Sequence, residues 1–109
     1  MERKIYEKLI RDRIPEIIAE KGKKSKTSEL SYEKFITYLK QKVVEEAQEL
    51  LEAKIKEEVA DEIADILELI DYIEKEHGLT RKEILKLKEK KKKERGGFDK
   101  KLFLEYVEE

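Results

Sequence analysis

The sequence has no cysteine, tryptophan or asparagine, and its 109 residues include one proline, one methionine and one histidine. Without cysteine there is no disulfide framework, thiol nucleophile or thiolate metal site, so any metal must sit on oxygen ligands or on His77. No apolar run approaches the roughly 18–20 residues that span a bilayer. The start, MERKIYEKLIRDRIP, lacks the apolar stretch of a signal peptide. A cytoplasmic protein without a membrane partner is therefore expected. A large net charge is missing too: 26 basic and 27 acidic side chains leave −1.

What is present is charge of both signs, in 49% of residues, beside 39% hydrophobic residues. That balance argues against a disordered polyelectrolyte, and 109 residues suit a single domain, residues 1–109, that would bury roughly two-thirds of its unfolded surface. Acids that are mostly Glu and bases that are mostly Lys match the bias of hyperthermophile proteins, which bears on habitat and not on chemistry.

The two signs are segregated. From Glu45 to Glu76 there are thirteen acids against three lysines, a net of −10, whereas residues 86–95 carry +5 and residues 1–26 carry +4. An acidic middle between basic ends can hold cations at the centre and anions at the rim.

Few breakers and an abundance of Glu, Lys, Leu, Ile and Ala predict helices almost throughout. Pro15 fits the first turn of a short helix to Glu20, ending near Gly22. A loop follows, and Ser31 then caps a second helix to about Ala53. A third runs from about Ile55 to His77 and is closed by Gly78, with His77 favoured there by the helix dipole. Thr80 caps a fourth that ends before Gly96-Gly97. The tail from Asp99 alternates apolar and polar residues over part of its length, which suggests a short strand or an extended arm. Neither Gly nor Pro separates the second helix from the third, so one unbroken helix from Ser31 to His77 is an open alternative.

On a helical projection Phe35, Ile36, Leu39, Val43, Ala47 and Leu50 form one apolar stripe, and Ile55, Val59, Ile63, Ile66, Leu67, Ile70 and Ile73 form another. Glu46 falls inside the first and Glu62 among the second; Glu49 and Asp65 lie at their margins. A carboxylate in a core stripe is costly unless compensated, and few bases are at hand. Magnesium or manganese would compensate: hard cations prefer carboxylate oxygens and keep waters for substrate phosphates. The pairs Glu46/Glu49 and Glu62/Asp65 are each spaced i, i+3 on one face. In one straight helix the pairs would stand about 24 Å apart, so a shared ion requires a turn near Ala53–Lys56. Taken alone, an i, i+3 acid pair in so Glu-rich a chain is more often a solvated face; it is the two pairs together, on the stripe side with few bases nearby, that bring the metal reading level with that one.

The pattern Glu45-Glu46-x-x-Glu49, twelve residues, then Glu62-x-x-Asp65 resembles the EExxE and ExxD signature of the all-α nucleoside triphosphate pyrophosphatases, which include MazG-like proteins, all-α dUTPases and phosphoribosyl-ATP pyrophosphohydrolases. A competing ExxD, Glu58 to Asp61, stands only eight residues from Glu49. Lys8-Leu9-Ile10-Arg11-Asp12-Arg13-Ile14-Pro15 and Arg95-Gly96-Gly97-Phe98 resemble the KLVRDKIP and RGGF segments of a small MazG-like subgroup labelled phosphoribosyl-ATP pyrophosphohydrolase-like, so the similarity runs over nearly the whole chain.

The resemblance implies an all-α, MazG-like helical hairpin that completes a four-helix bundle as a homodimer or homotetramer. It implies an enzyme that cleaves a nucleoside triphosphate between its α- and β-phosphates, with Mg²⁺ (Mn²⁺ as a substitute) on Glu46, Glu49, Glu62 and Asp65. Glu45 and Glu58 are second choices for a general base or an outer-shell role. Histidine-pathway members carry a Ser-Tyr-Thr segment before the motif and a histidine after it. This chain has Ser31-Tyr32-Glu33 and no such histidine, which counts against phosphoribosyl-ATP as substrate. Lys8, Arg11, Arg13, Lys92 and Arg95 are candidates for the substrate phosphates. The Lys90–Lys93 run has no aromatic platform beside it, so nucleic acid is not the expected partner. The rival expectation is a non-catalytic helical interaction module.

Overall fold

The computed structural model describes residues 2–109. Four helices follow one another: α1 (Ile14–Glu20), α2 (Tyr32–Glu52), α3 (Lys56–Glu76) and α4 (Arg81–Arg95). Each start has a local cause. Pro15 sits in the first turn of α1, where its missing N–H is not needed. The Ser31 hydroxyl accepts from the Lys34 N–H at 3.3 Å to start α2, and the Thr80 hydroxyl accepts from the Glu83 N–H at 3.2 Å to start α4. α3 begins without a side-chain cap, but Glu57 and Glu58 in its first turn offset the exposed amide dipoles. Gly78 closes α3 at φ +66°, a conformation costly for residues with a Cβ.

The break between α2 and α3 uses neither Gly nor Pro. Ala53 and Ile55 adopt extended backbone, with ψ of 133° and 156°, while the Ala53 N–H still bonds back to Glu49 and Leu50. Folding back at this point buries the two apolar stripes on each other, which a continuous helix would leave in water. The hairpin is antiparallel: the Tyr32 hydroxyl donates to the Glu76 carbonyl at 2.7 Å, joining the start of α2 to the end of α3. The same register sets Glu46 opposite Glu62.

The core within one chain is thin. Leu39 is the buried apolar residue, at 2% exposure, while Phe35, Ile36, Val43, Leu50, Val59, Ile66, Ile70 and Ile73 are half-buried. Ile55, Ile63 and Leu67, which the sequence assigns to the α3 stripe, are exposed, as are Val44 and Leu51 on α2. The Cα radius of gyration, 18.7 Å, exceeds the roughly 13 Å of a compact domain this long. α4 buries no residue and is tied to α3 at its base: Arg81 donates to both Glu74 carboxylate oxygens at 3.1 and 2.9 Å and to Asp71 at 2.6 Å.

No strand forms among the described residues, so the C-terminal segment takes the arm form of the expectation and not the strand form. A lone strand has no ladder partner for its N–H and C=O groups, and this chain offers none. Leu102, Phe103, Leu104 and Tyr106 along it are exposed. Among the described residues, no helix is long and apolar enough to cross a membrane.

Candidate metal centre

Two acidic triads meet midway along the hairpin. Glu46 from α2 and Glu62 and Asp65 from α3 each offer a carboxylate oxygen, all within 4.8 Å of one another. Glu45, Glu46 and Glu49, all from α2, form the second group at the same spacing. Glu46 belongs to both. The reason is local: i, i+3 spacing stacks Glu46 with Glu49 and Glu62 with Asp65, and the turn at 53–55 brings α3 back so that Glu62 faces Glu46.

Burial separates these groups. Glu46 is 7% exposed, Glu62 and Asp65 are half-buried, and Glu45 and Glu49 face solvent. One oxygen of Glu46 and one of Glu62 are wholly buried and have no hydrogen-bond partner. Burial raises the Glu46 carboxyl above its ordinary value. The neighbouring carboxyl of Glu62 and the charge of Asp65 push it the same way, while the carboxyl of Glu49 pulls it down. Glu49 is raised chiefly by the carboxyl of Glu46, then by burial.

The second buried carboxylate of the described residues shows how this chain compensates such a group with its own side chains. Glu74, also 7% exposed, is held by both bonds from the Arg81 Nε. Among the described residues no lysine or arginine pairs with Glu46, although an uncompensated buried charge is expensive. The orphaned oxygens of Glu46 and Glu62, with Asp65 beside them, are hard anionic donors suited to Mg²⁺ or Mn²⁺.

The remaining candidates are dispersed. Arg11 reaches the centre, its Nη2 donating to Asp65 Oδ1 at 2.8 Å with Glu68 at 3.9 Å from its Nη1. Arg13 pairs instead with Glu16, and the Lys8 ammonium lies over the Tyr6 ring, 5.4 Å from its centroid. Lys92 and Arg95 lie on the exposed α4 without an ion pair to the centre. Glu45 pairs with Lys42 at 3.7 Å. Glu58 and Asp61 line an open hollow near the turn, together with Glu49, Glu52, Ala53 and Glu62.

Sequence reasoning missed two relations. The Arg81–Glu74 pair left a signal, since Glu74 is an acid on the apolar side of α3 with a base one loop away. The Arg11–Asp65 contact spans 54 residues and left none.

The family model described as phosphoribosyl-ATP pyrophosphohydrolase matches residues 4–92. No curated protein and no solved structure matches the chain.

Proposed function

The chain belongs to the phosphoribosyl-ATP pyrophosphohydrolase family, which makes it a pyrophosphohydrolase of nucleotides, and we propose that it hydrolyses the α–β phosphate bond of a nucleoside triphosphate or related nucleotide with Mg²⁺. The observation that carries the metal requirement is the pair of buried, partnerless oxygens on Glu46 and Glu62. Glu46, Glu62 and Asp65 would hold the ion, and Glu49, clustered with Glu46 on α2, would add a ligand from the solvent side. Bound there, a divalent ion neutralises phosphate charge and lowers the pKa of an attacking water.

The chain's own groups do the rest. Glu45, exposed beside Glu46 and Glu49 and paired with Lys42, would serve as the general base that takes the proton of the water attacking the α-phosphorus. Water adds there as the bond to the bridging oxygen breaks, releasing pyrophosphate and leaving a nucleoside monophosphate. Arg11 supplies positive charge at the mouth, and Lys8, Arg13, Lys92 and Arg95 add it from the flanking segments. The exposed apolar residues of the hairpin, Val44, Leu51, Ile63 and Leu67, support assembly with a second copy into a four-helix bundle.

The test is a panel of ribo-, deoxyribo- and modified nucleoside triphosphates plus phosphoribosyl-ATP, assayed for pyrophosphate release with and without Mg²⁺. Magnesium-dependent release from at least one triphosphate is expected. Release from no nucleotide of the panel would overturn the activity, release from phosphoribosyl-ATP alone would narrow the substrate to that related nucleotide, and metal-independent release would overturn the site.

A further inference from the structure

Arg11 stands where a cation is wanted. It is the one basic side chain, among the described residues, that contacts the Glu46, Glu62 and Asp65 group; its guanidinium donates to Asp65 Oδ1 at 2.8 Å and lies 3.9 Å from Glu68. It reaches there from residues 2–12, a segment outside the helices. Its side chain is 58% exposed and makes no other ion pair. An arginine built in to orient a ligand would be locked by packing and by further bonds, as Arg81 is by Glu74 and Asp71. Arg11 has one hydrogen bond, to Asp65, with Glu68 at 3.9 Å and 58% of its side chain exposed, against the three hydrogen bonds that hold Arg81.

We propose that Arg11 is an exchangeable counterion: it neutralises Asp65 while the centre is empty, is released when a divalent cation takes that carboxylate, and then offers its guanidinium to the phosphates of the substrate. The proposal rests on the metal reading above and adds to it an order of events. Two cations at one carboxylate repel, so a divalent ion at Asp65 weakens the bond that keeps Arg11 there. The same planar fork fits a phosphate in two-point contact, and its new position lies at the mouth of the site because the segment is anchored at Leu9, Ile10 and Ile14, which are half-buried. Metal binding and phosphate capture thus become coupled through one side chain.

The coupling is read by calorimetric titration of Mn²⁺ into the nucleotide-free full chain, for wild type, Arg11→Gln, Asp65→Asn and the double variant. Arg11→Gln is expected to bind Mn²⁺ at least threefold more tightly, because the competitor is gone. Asp65→Asn is expected to bind more weakly, and the gain from Arg11→Gln should vanish when Asp65 is already Asn. In the presence of Mg²⁺, Arg11→Gln should bind inorganic pyrophosphate at least fivefold more weakly. Unchanged or weakened Mn²⁺ binding by Arg11→Gln, with Asp65→Asn still weakening it, would overturn the exchange and leave the metal centre standing. A gain that persists in the double variant would also overturn it, by tracing the effect to the general field. Unchanged binding by Asp65→Asn would remove the metal centre, and the exchange with it.

Discussion

Glu46 on α2 and Glu62 on α3 face each other across the hairpin, each with a carboxylate oxygen that is buried and unpartnered. Sixteen residues separate them in the chain, and only the turn at 53–55 makes them neighbours. The arrangement sets like charges against each other, a conflict that protonation or a divalent cation would relieve.

That conflict should appear in the stability of the metal-free protein. Glu46 and Glu49 are both raised, so their protonated forms are favoured in the fold. The stabilisation is complete below the ordinary carboxylate range and is lost as pH rises through the raised values. Thermal melts without metal should therefore fall as pH climbs above that range, and Glu46→Gln should flatten the decline. At neutral pH Glu46→Gln should raise the melting temperature by several degrees, about 1 kcal/mol, and should lose the further gain that Mg²⁺ gives wild type.

The two ExxD pairs are separable by activity. Asp65→Asn removes an oxygen from the buried triad and should lower magnesium-dependent pyrophosphate release by about 100-fold or more, the scale expected when metal affinity itself is lost. Asp61→Asn, in the open hollow, should cost less than about tenfold, below the roughly 10–100-fold range of residues that support metal ligands. A steady-state assay over a range of Mg²⁺ checks both, and the reverse ranking would move the centre towards the turn.

Arg81 should matter to folding. Arg81→Ala strands Glu74, which is 7% exposed, and should cost about 2 kcal/mol, below the full buried-pair penalty because Arg81 is itself partly solvated. Adding Glu74→Leu should restore much of the loss. Denaturant melts of the single and double variants measure this.

Assembly is open to direct weighing. A chain of 13.0 kDa with one buried apolar residue among those described is expected to sediment at a multiple of that mass. Leu67→Asp, on an exposed site of the hairpin, should shift it towards monomer and lower its melting temperature.

Much of this fold was legible because its signals are local. Ser31 and Thr80 cap where their side chains permit, and Gly78 ends α3 where positive φ is needed. The burial of Glu46 followed from its place in a stripe led by Leu39. The break at Ala53 was legible through chemistry alone, because no breaker residue marks it; what decides it is the burial of two stripes far apart in sequence. The exposure of Ile63 and Leu67 escaped the periodicity, since a helical projection gives a direction without saying whether a partner lies there. Arg11 on Asp65 was illegible for a related reason: an arginine beside an aspartate in sequence reads as a local pair, and Asp12 hid the distant one. Lys8, Arg13, Lys92 and Arg95 were chosen for charge, which fixes no position, and in one chain none of them makes an ion pair with the acidic cluster.

The most direct test is the anomalous scattering of manganese in crystals of the protein grown or soaked in Mn²⁺. A peak is expected about 2.1 Å from carboxylate oxygens of Glu46, Glu62 and Asp65, between α2 and α3. A peak confined to the hollow at Glu58 and Asp61, or no peak with those three carboxylates still unpartnered, would contradict it.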